Sequence, residues 1–291
     1  MFCAVSYKNR VAVSVSIKTY MITLFKRNKN MKLTIYQVDA FTDMVFKGNP
    51  AAVCPLTEWL ADDILLKIAA ENNLSETAFY VPKGDGYEIR WFTPASEVDL
   101  CGHATLATAY VLAHCEKQVK ETINFYSPRS GKLPVSVQQD KFVLNFPADQ
   151  FSETELTDAL LAVTDKKPIA AYRGKTDYML VFEKQNDIEA LKPNLPLMTG
   201  MAARGFIVTA RGENHDFVSR FFGPVVGVNE DPVCGSAHTT LTPYWAGQLN
   251  KTELRAFQLS ERTGEVYCRL LGDRVELAGN AVLYMKGEIY I

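Results

Sequence analysis

The stretch Trp91-Phe92-Thr93-Pro94 runs through an acidic segment into Cys101-Gly102-His103-Ala104 and a run of small, apolar residues. Further on, Arg220-Phe221-Phe222-Gly223-Pro224 runs through acidic residues into Cys234-Gly235-Ser236-Ala237 and a second such run. Each reads as a strand, an acidic loop and a Cys-Gly turn that opens a helix. The predicted helices, 104–114 and 236–248, have no polar face, so each belongs at the centre of a unit rather than on its coat. The two turns lie about half of the chain beyond Met31 apart, and one unit occurring twice predicts two homologous halves.

Outward from these turns, the pattern predicts a strand at 33–38, a tight turn and buried strand over 46–53, and a helix over 58–72 ended by Asn72-Asn73. Strands are expected at 76–81, 87–92, 122–126, 133–137 and 141–146. Asn145-Phe146-Pro147-Ala148-Asp149 is the best candidate boundary between halves. After it come a polar helix near 152–163, strands near 169–173, 178–182, 205–210 and 217–222, and a tail of strand and turn over 256–291.

With 291 residues, 47% hydrophobic and 22% charged, the chain suits two globular domains. A net charge of −2 and no basic stripe exclude a nucleic-acid surface. No apolar run reaches the length of a membrane span. The six scattered cysteines form no C-x-x-C pair, which points to reduced thiols in a cytoplasmic setting. The four histidines show no H-E-x-x-H spacing, so no metal site is expected. Residues 1–30 carry Lys8, Arg10, Lys18, Lys26, Arg27 and Lys29 with no acidic residue. They read as an extension outside the fold, whether an upstream addition, a misassigned start or a targeting segment.

The chemistry gathers at the two turns. The first turn of a helix leaves backbone N–H groups unpaired, and the helix dipole adds partial positive charge there. A small carboxylate is the natural ligand, and glycine lets it approach closely. If the halves face one another, the turns at Gly102 and Gly235 grip one acid from both sides; taken singly, either glycine merely starts a helix. Asp99, Cys101 and His103 surround the first turn, and Glu230, Asp231, Cys234, Ser236 and His238 the second. Pro232 biases Asp231 to an extended conformation. Glu76 opens a strand among apolar residues; it is either a surface carboxylate or a half-buried one with a raised pKa.

The segments Asp39-Ala40-Phe41, Gly48-Asn49-Pro50-Ala51-Ala52-Val53, Asn73-Leu74-Ser75-Glu76-Thr77, Trp91-Phe92-Thr93-Pro94, Cys101-Gly102-His103-Ala104-Thr105 and Glu230-Asp231-Pro232-Val233-Cys234-Gly235-Ser236-Ala237-His238 resemble the PhzF-like isomerase family of phenazine biosynthesis. The resemblance covers about 31–291. It implies an α+β fold shared with diaminopimelate epimerase and proline racemase: two pseudo-symmetric domains, each a mostly antiparallel sheet or barrel around a central helix. Those domains are 31–144 and 145–279, with a tail of about 280–291 that returns to the first. The resemblance further implies a homodimer and proton transfer on a small carboxylate substrate in the interdomain cleft, with no metal or organic cofactor. Glu76, Asp231 and His103 match the family's catalytic positions. Gly102 and Gly235 match its carboxylate-binding turns and Ser236 another of its site residues, and Cys101, Cys234 and Asn49 beside them are further substrate-binding candidates.

The chain departs from the family where threonine is usual and Cys234 stands. With Cys101 this recreates the thiol pair of the epimerase and racemase relatives, in which one thiolate removes an α-proton and the opposite thiol returns one. A helix N-terminus lowers a thiol pKa, so a two-cysteine racemase or epimerase is the rival reading. The other reading makes Cys234 a near-isostere of threonine and Cys101 a small buried residue. A third possibility is a non-catalytic binding protein on the same fold.

Overall fold

The computed structural model describes residues 31–118 and 120–291, so the expectation for residues 1–30 lies outside the described residues. The first half comprises β1 (Lys32–Ala40), β2 (Asn49–Pro55), α1 (Asp62–Asn72), β3 (Glu76–Lys83), β4 (Gly86–Phe92), β5 (Glu97–Val98), α2 (Gly102–Tyr110), β6 (Thr122–Ser127), β7 (Gly131–Gln138) and β8 (Lys141–Pro147). The second comprises β9 (Ser152–Thr154), α3 (Asp158–Ala162), β10 (Ala170–Arg173), β11 (Asp177–Val181), α4 (Gln185–Ala190) and α5 (Leu195–Thr199). It continues with β12 (Gly205–Arg211), β13 (Phe217–Gly223), β14 (Val228–Asp231), α6 (Gly235–Leu249), β15 (Glu253–Gln258), β16 (Gly264–Leu271) and β17 (Arg274–Gly279). The last strand, β18 (Ala281–Tyr290), pairs antiparallel with β1 and so closes the first half.

The ladders repeat. In the first half β2 runs parallel to β3, β3 antiparallel to β4, and β4 antiparallel to β5 and parallel to β6. In the second, β11 and β12, β12 and β13, β13 and β14, and β13 and β15 pair in those same senses. Both halves end in antiparallel hairpins, and the counterparts β8 and β17 pair with each other to join the halves, Phe142 opposite Gly279 and Pro147 opposite Arg274. This is an α+β fold of two pseudo-symmetric halves.

The parallel-paired strands of each half, β2 with β3 and β11 with β12, are buried on both faces. Ala51 and Val53 face inward to α2, while Ala52, Cys54 and Phe79 pack outward with Leu65, Ile68 and Ala69 of α1. In the second half Ile207 faces α6, while Phe206 and Val208 pack outward with Ile188 and Met198. The central helix α2 is buried from His103 to Ala109, and Ala104, Ala107 and Ala109 let the surrounding strands close on it. Beyond Tyr110 it continues as one π-helical turn, Val111–Cys115.

Helix α6 contains Pro243, which has no N–H for the carbonyl of Thr239. The Asp149 N–H takes that carbonyl at 3.1 Å, and the Thr240 hydroxyl donates to Asp149 Oδ2 at 2.8 Å. The connection between halves is thereby pinned to α6. Gly48, with φ of 64°, turns the chain into β2 where a Cβ would strike the Ala40 carbonyl.

Two local expectations are corrected. The first helix begins at Asp62 rather than 58, because Trp59 donates from Nε1 to Glu88 at 2.7 Å and lies under the Arg90 guanidinium, holding its segment off the helix. The segment expected as a polar helix over 152–163 is strand β9 followed by the short α3; Thr154 pairs with Ala171 and Thr157 caps the helix. No helix among the described residues is long and apolar enough to cross a membrane.

Candidate active site

The beginnings of α2 and α6 meet. A Cβ placed on Gly235 would lie 3.9 Å from the Gly102 Cα. Among the described residues neither helix is capped by a side chain: Cys101 and Cys234 occupy the N-cap positions in extended conformation without accepting from the first turn as a hydroxyl or carboxylate cap does. Two sets of unpaired N–H groups, with the positive ends of two dipoles, therefore face one small volume from opposite halves.

The same device aims each turn. Arg90 donates from Nε and Nη2 to the two oxygens of Glu97, at 2.7 and 2.9 Å, and lies over the Phe92 ring. Arg220 does the same with Glu230, at 2.7 and 2.9 Å, over the Phe222 ring. Each clasp ties the acidic loop to the strand before it. In the second half Gln258 adds a latch, accepting from the Cys234 N–H at 2.9 Å and donating to the Asp231 carbonyl at 2.6 Å.

Glu76 opens β3 opposite Ala51 of β2, so both side chains point to α2. Its Oε2 lies 3.4 Å from His103 Nε2, and the carboxyl is 17% exposed. Burial raises its pKa to about 7; the charge of Asp231 adds to the rise and a hydrogen bond from Cys101 opposes it. His103 is 5% exposed and burial lowers its pKa to about 3, so it is a neutral imidazole. Its Nδ1 is 3.5 Å from Cys101 Sγ, and its buried Nε2 has no well-formed hydrogen bond.

Across the cleft, Asp231 ends β14 in the extended conformation that Pro232 favours. Burial raises its pKa to about 6, against hydrogen bonds from Cys234, the Val233 N–H and Asn49 and the charge of Arg204. Asn49 donates from Nδ2 to Asp231 Oδ1 at 2.6 Å and to the Val233 carbonyl at 3.0 Å, stitching β2 of one half to the turn of the other. Cys234 Sγ lies 3.3 Å from Ser236 Oγ, which accepts from Arg204 at 2.9 Å.

The residues singled out from the sequence, Glu76, Asp231, His103, Gly102, Gly235, Ser236, Cys101, Cys234 and Asn49, converge on this seam. Three neighbours do not take part. Asp99 is exposed and paired with Arg129 at 3.0 Å, Glu230 belongs to the Arg220 clasp, and His238 is buried with Nδ1 on the Cys234 carbonyl. The expectation that the helix starts lower the thiol pKa values is corrected: burial pushes both Cys101 and Cys234 up. Arg204, Asp177 and Gln258 were missed by the sequence analysis, since they lie outside the repeated motif and reach the site only through the fold. Glu76, Cys101 and His103 each offer a ligand atom, all within 4.8 Å of one another, a set that could hold a divalent cation although no sequence spacing announced it.

Similarity to known proteins follows the whole described chain. The family model described as "Phenazine biosynthesis-like protein" matches residues 38–287. An uncharacterized isomerase of Pseudomonas aeruginosa is 49% identical over 261 residues, spanning 90% of this chain and all of that protein. The crystal structure of a PhzF-family phenazine biosynthesis protein from Enterococcus faecalis superposes with a TM-score of 0.87 at 44% identity, over 90% of this chain and 100% of that one. A predicted epimerase from Pseudomonas aeruginosa, at 16% identity and a TM-score of 0.67 over 88% and 99% of the two chains, shares the fold.

Proposed function

The chain belongs to the phenazine biosynthesis-like protein family, and from that premise we propose that it is an isomerase that moves a proton on a small carboxylic acid using its own acid–base groups. The observation that carries this reading is the meeting of two uncapped helix beginnings beside a carboxyl whose pKa is raised to about 7. The N–H groups around Gly102–His103 and Gly235–Ser236 hold the substrate carboxylate. As a neighbouring C–H proton leaves, the same donors take up the enolate-like charge without reorganising. Glu76 accepts that proton, its raised pKa matching the task near neutrality, and returns it to another carbon on the same face. Neutral His103 flanks the Glu76 carboxyl, while Asp231, fixed by Asn49 and Gln258, holds a polar group of the substrate.

The two-thiol alternative is supported by placement alone, since burial disfavours either thiolate before substrate enters. The variants Glu76→Gln and Cys234→Thr separate the readings. Each is mixed in deuterated water with a panel of carboxylate metabolites, and exchange at carbon is followed by NMR. The proposal expects Glu76→Gln to stop exchange while Cys234→Thr sustains it. Exchange that survives Glu76→Gln and stops with Cys234→Thr would establish the racemase-type chemistry instead.

A further inference from the structure

Arg204 has no part in the proton movement described above, yet its guanidinium lies against the first turn of α6. Nε donates to Asp177 Oδ1 at 2.9 Å, and Nη2 donates to Asp177 Oδ2 and to Ser236 Oγ. Asp177 is 4% exposed, and a carboxylate so buried is tolerated only with a fixed cation beside it. On its other side the guanidinium packs over the Phe221 ring, 5.2 Å from its centre. Held this firmly, the side chain still keeps 34% of its surface open, and Nη1 donates to none of the described residues. Ser236 is exposed and accepts from Arg204, and its hydroxyl proton can turn either to Cys234 Sγ, 3.3 Å away, or to a bound anion.

The duplication shows what is unusual here. In the first half the parallel ladder sets Ala51 opposite Glu76, the proton-moving group. In the second, the equivalent rung sets Asp177 opposite Gly205, and Arg204 stands one residue before it. One half therefore presents a carboxyl to its helix start, and the other a guanidinium locked on a buried partner. A guanidinium stays protonated under all ordinary conditions, so Arg204 cannot exchange protons; it can hold an anion with planar, directed donors.

We infer that Arg204 and the Ser236 hydroxyl form a second anion-binding point at the rim of the cleft, and that the substrate is a small dicarboxylic acid. One carboxylate sits on the two helix beginnings and the other on Arg204. This inference rests on the reading of the cleft as a carboxylate-holding proton-transfer site.

Calorimetric titration with matched acids tests it: valerate against glutarate, and hexanoate against adipate. The proteins are the unaltered chain, Arg204→Met, and the double variant Asp177→Asn/Arg204→Met, which leaves no buried unpaired carboxylate should the single variant fold poorly. The unaltered chain is expected to bind the diacid of a pair roughly 10- to 100-fold tighter than the monoacid, as a charge-assisted hydrogen bond at a fixed guanidinium provides. Both variants should lose that difference while keeping monoacid affinity. Equal binding of monoacid and diacid by the unaltered chain would overturn the inference and leave the cleft reading intact. Parallel weakening of both acids in the variants would also overturn it, reducing Arg204 to a support for the α6 turn. If neither series binds the unaltered chain, the cleft reading falls and the inference with it.

Discussion

At the scale of residues, the account turns on the proton of Glu76. A base with a pKa near 7 must be ionised to act, so kcat/KM is expected to rise with pH through about 7, with the Asp231 ionisation near 6 on the same limb. Glu76→Gln should lower turnover roughly 100- to 10,000-fold and remove that limb, as pH–rate profiles would show. Stability responds in the opposite sense. The folded carboxyl keeps its proton to higher pH than the unfolded one, so between the ordinary glutamate value and about 7 the folded state binds more protons and loses stability as pH rises. Glu76→Gln should therefore melt higher than the unaltered chain at pH 8, by at most about 3 kcal/mol, and no higher at pH 4. Calorimetric scans at the two pH values check this; an equal gain at both would mean that Glu76 is not held protonated by the fold. Glu76, His103, Asp231 and Ser236 were legible because they sit in or beside short motifs. Arg204 and Asp177 were not, since a charge pair formed between the start of one strand and the start of its neighbour leaves no local pattern.

At the scale of elements, the repeated Arg–Glu clasps make the duplication mechanical. Arg220→Met strands the partly buried Glu230 beside its Cys-Gly turn and is expected to cost about 1–3 kcal/mol in denaturant unfolding, whereas after Arg90→Met the Glu97 carboxylate keeps Arg129 at 2.8 Å and the cost should be smaller. Equal losses from the two variants would show that Arg129 gives Glu97 no support. The helices with no polar face and most strands could be read from periodicity alone. The errors fell where tertiary contacts outweigh local preference. Trp59 is drawn to Glu88 and Arg90 instead of extending α1, and residues 152–154 are recruited as an edge by β10. The clasps escaped notice although Arg90 and Arg220 precede the quoted Phe92 and Phe222 by two residues, because an Arg–Glu contact across a loop of variable length has no fixed spacing.

At the scale of the whole molecule, two halves share a seam, and the chain's last strand completes the first half. A chain ending at Gly279 lacks β18, leaves one edge of β1 unpaired from Lys32 to Ala40, and is expected to be recovered insoluble, as a comparison of soluble yields would show. The seam itself was foreseeable from the Cys-Gly repeat; how closely the two beginnings approach was not, since that distance is set by the packing of both sheets. Every functional statement here depends on those beginnings sharing one guest. The most direct measurement is a crystal structure of the Glu76→Gln variant with a turned-over acid trapped in the cleft. The account predicts one carboxylate within hydrogen-bond distance of N–H groups from both the Gly102 and Gly235 turns, with the reacting carbon against the side chain at position 76. An acid bound to one turn alone, or bound away from position 76, would contradict it.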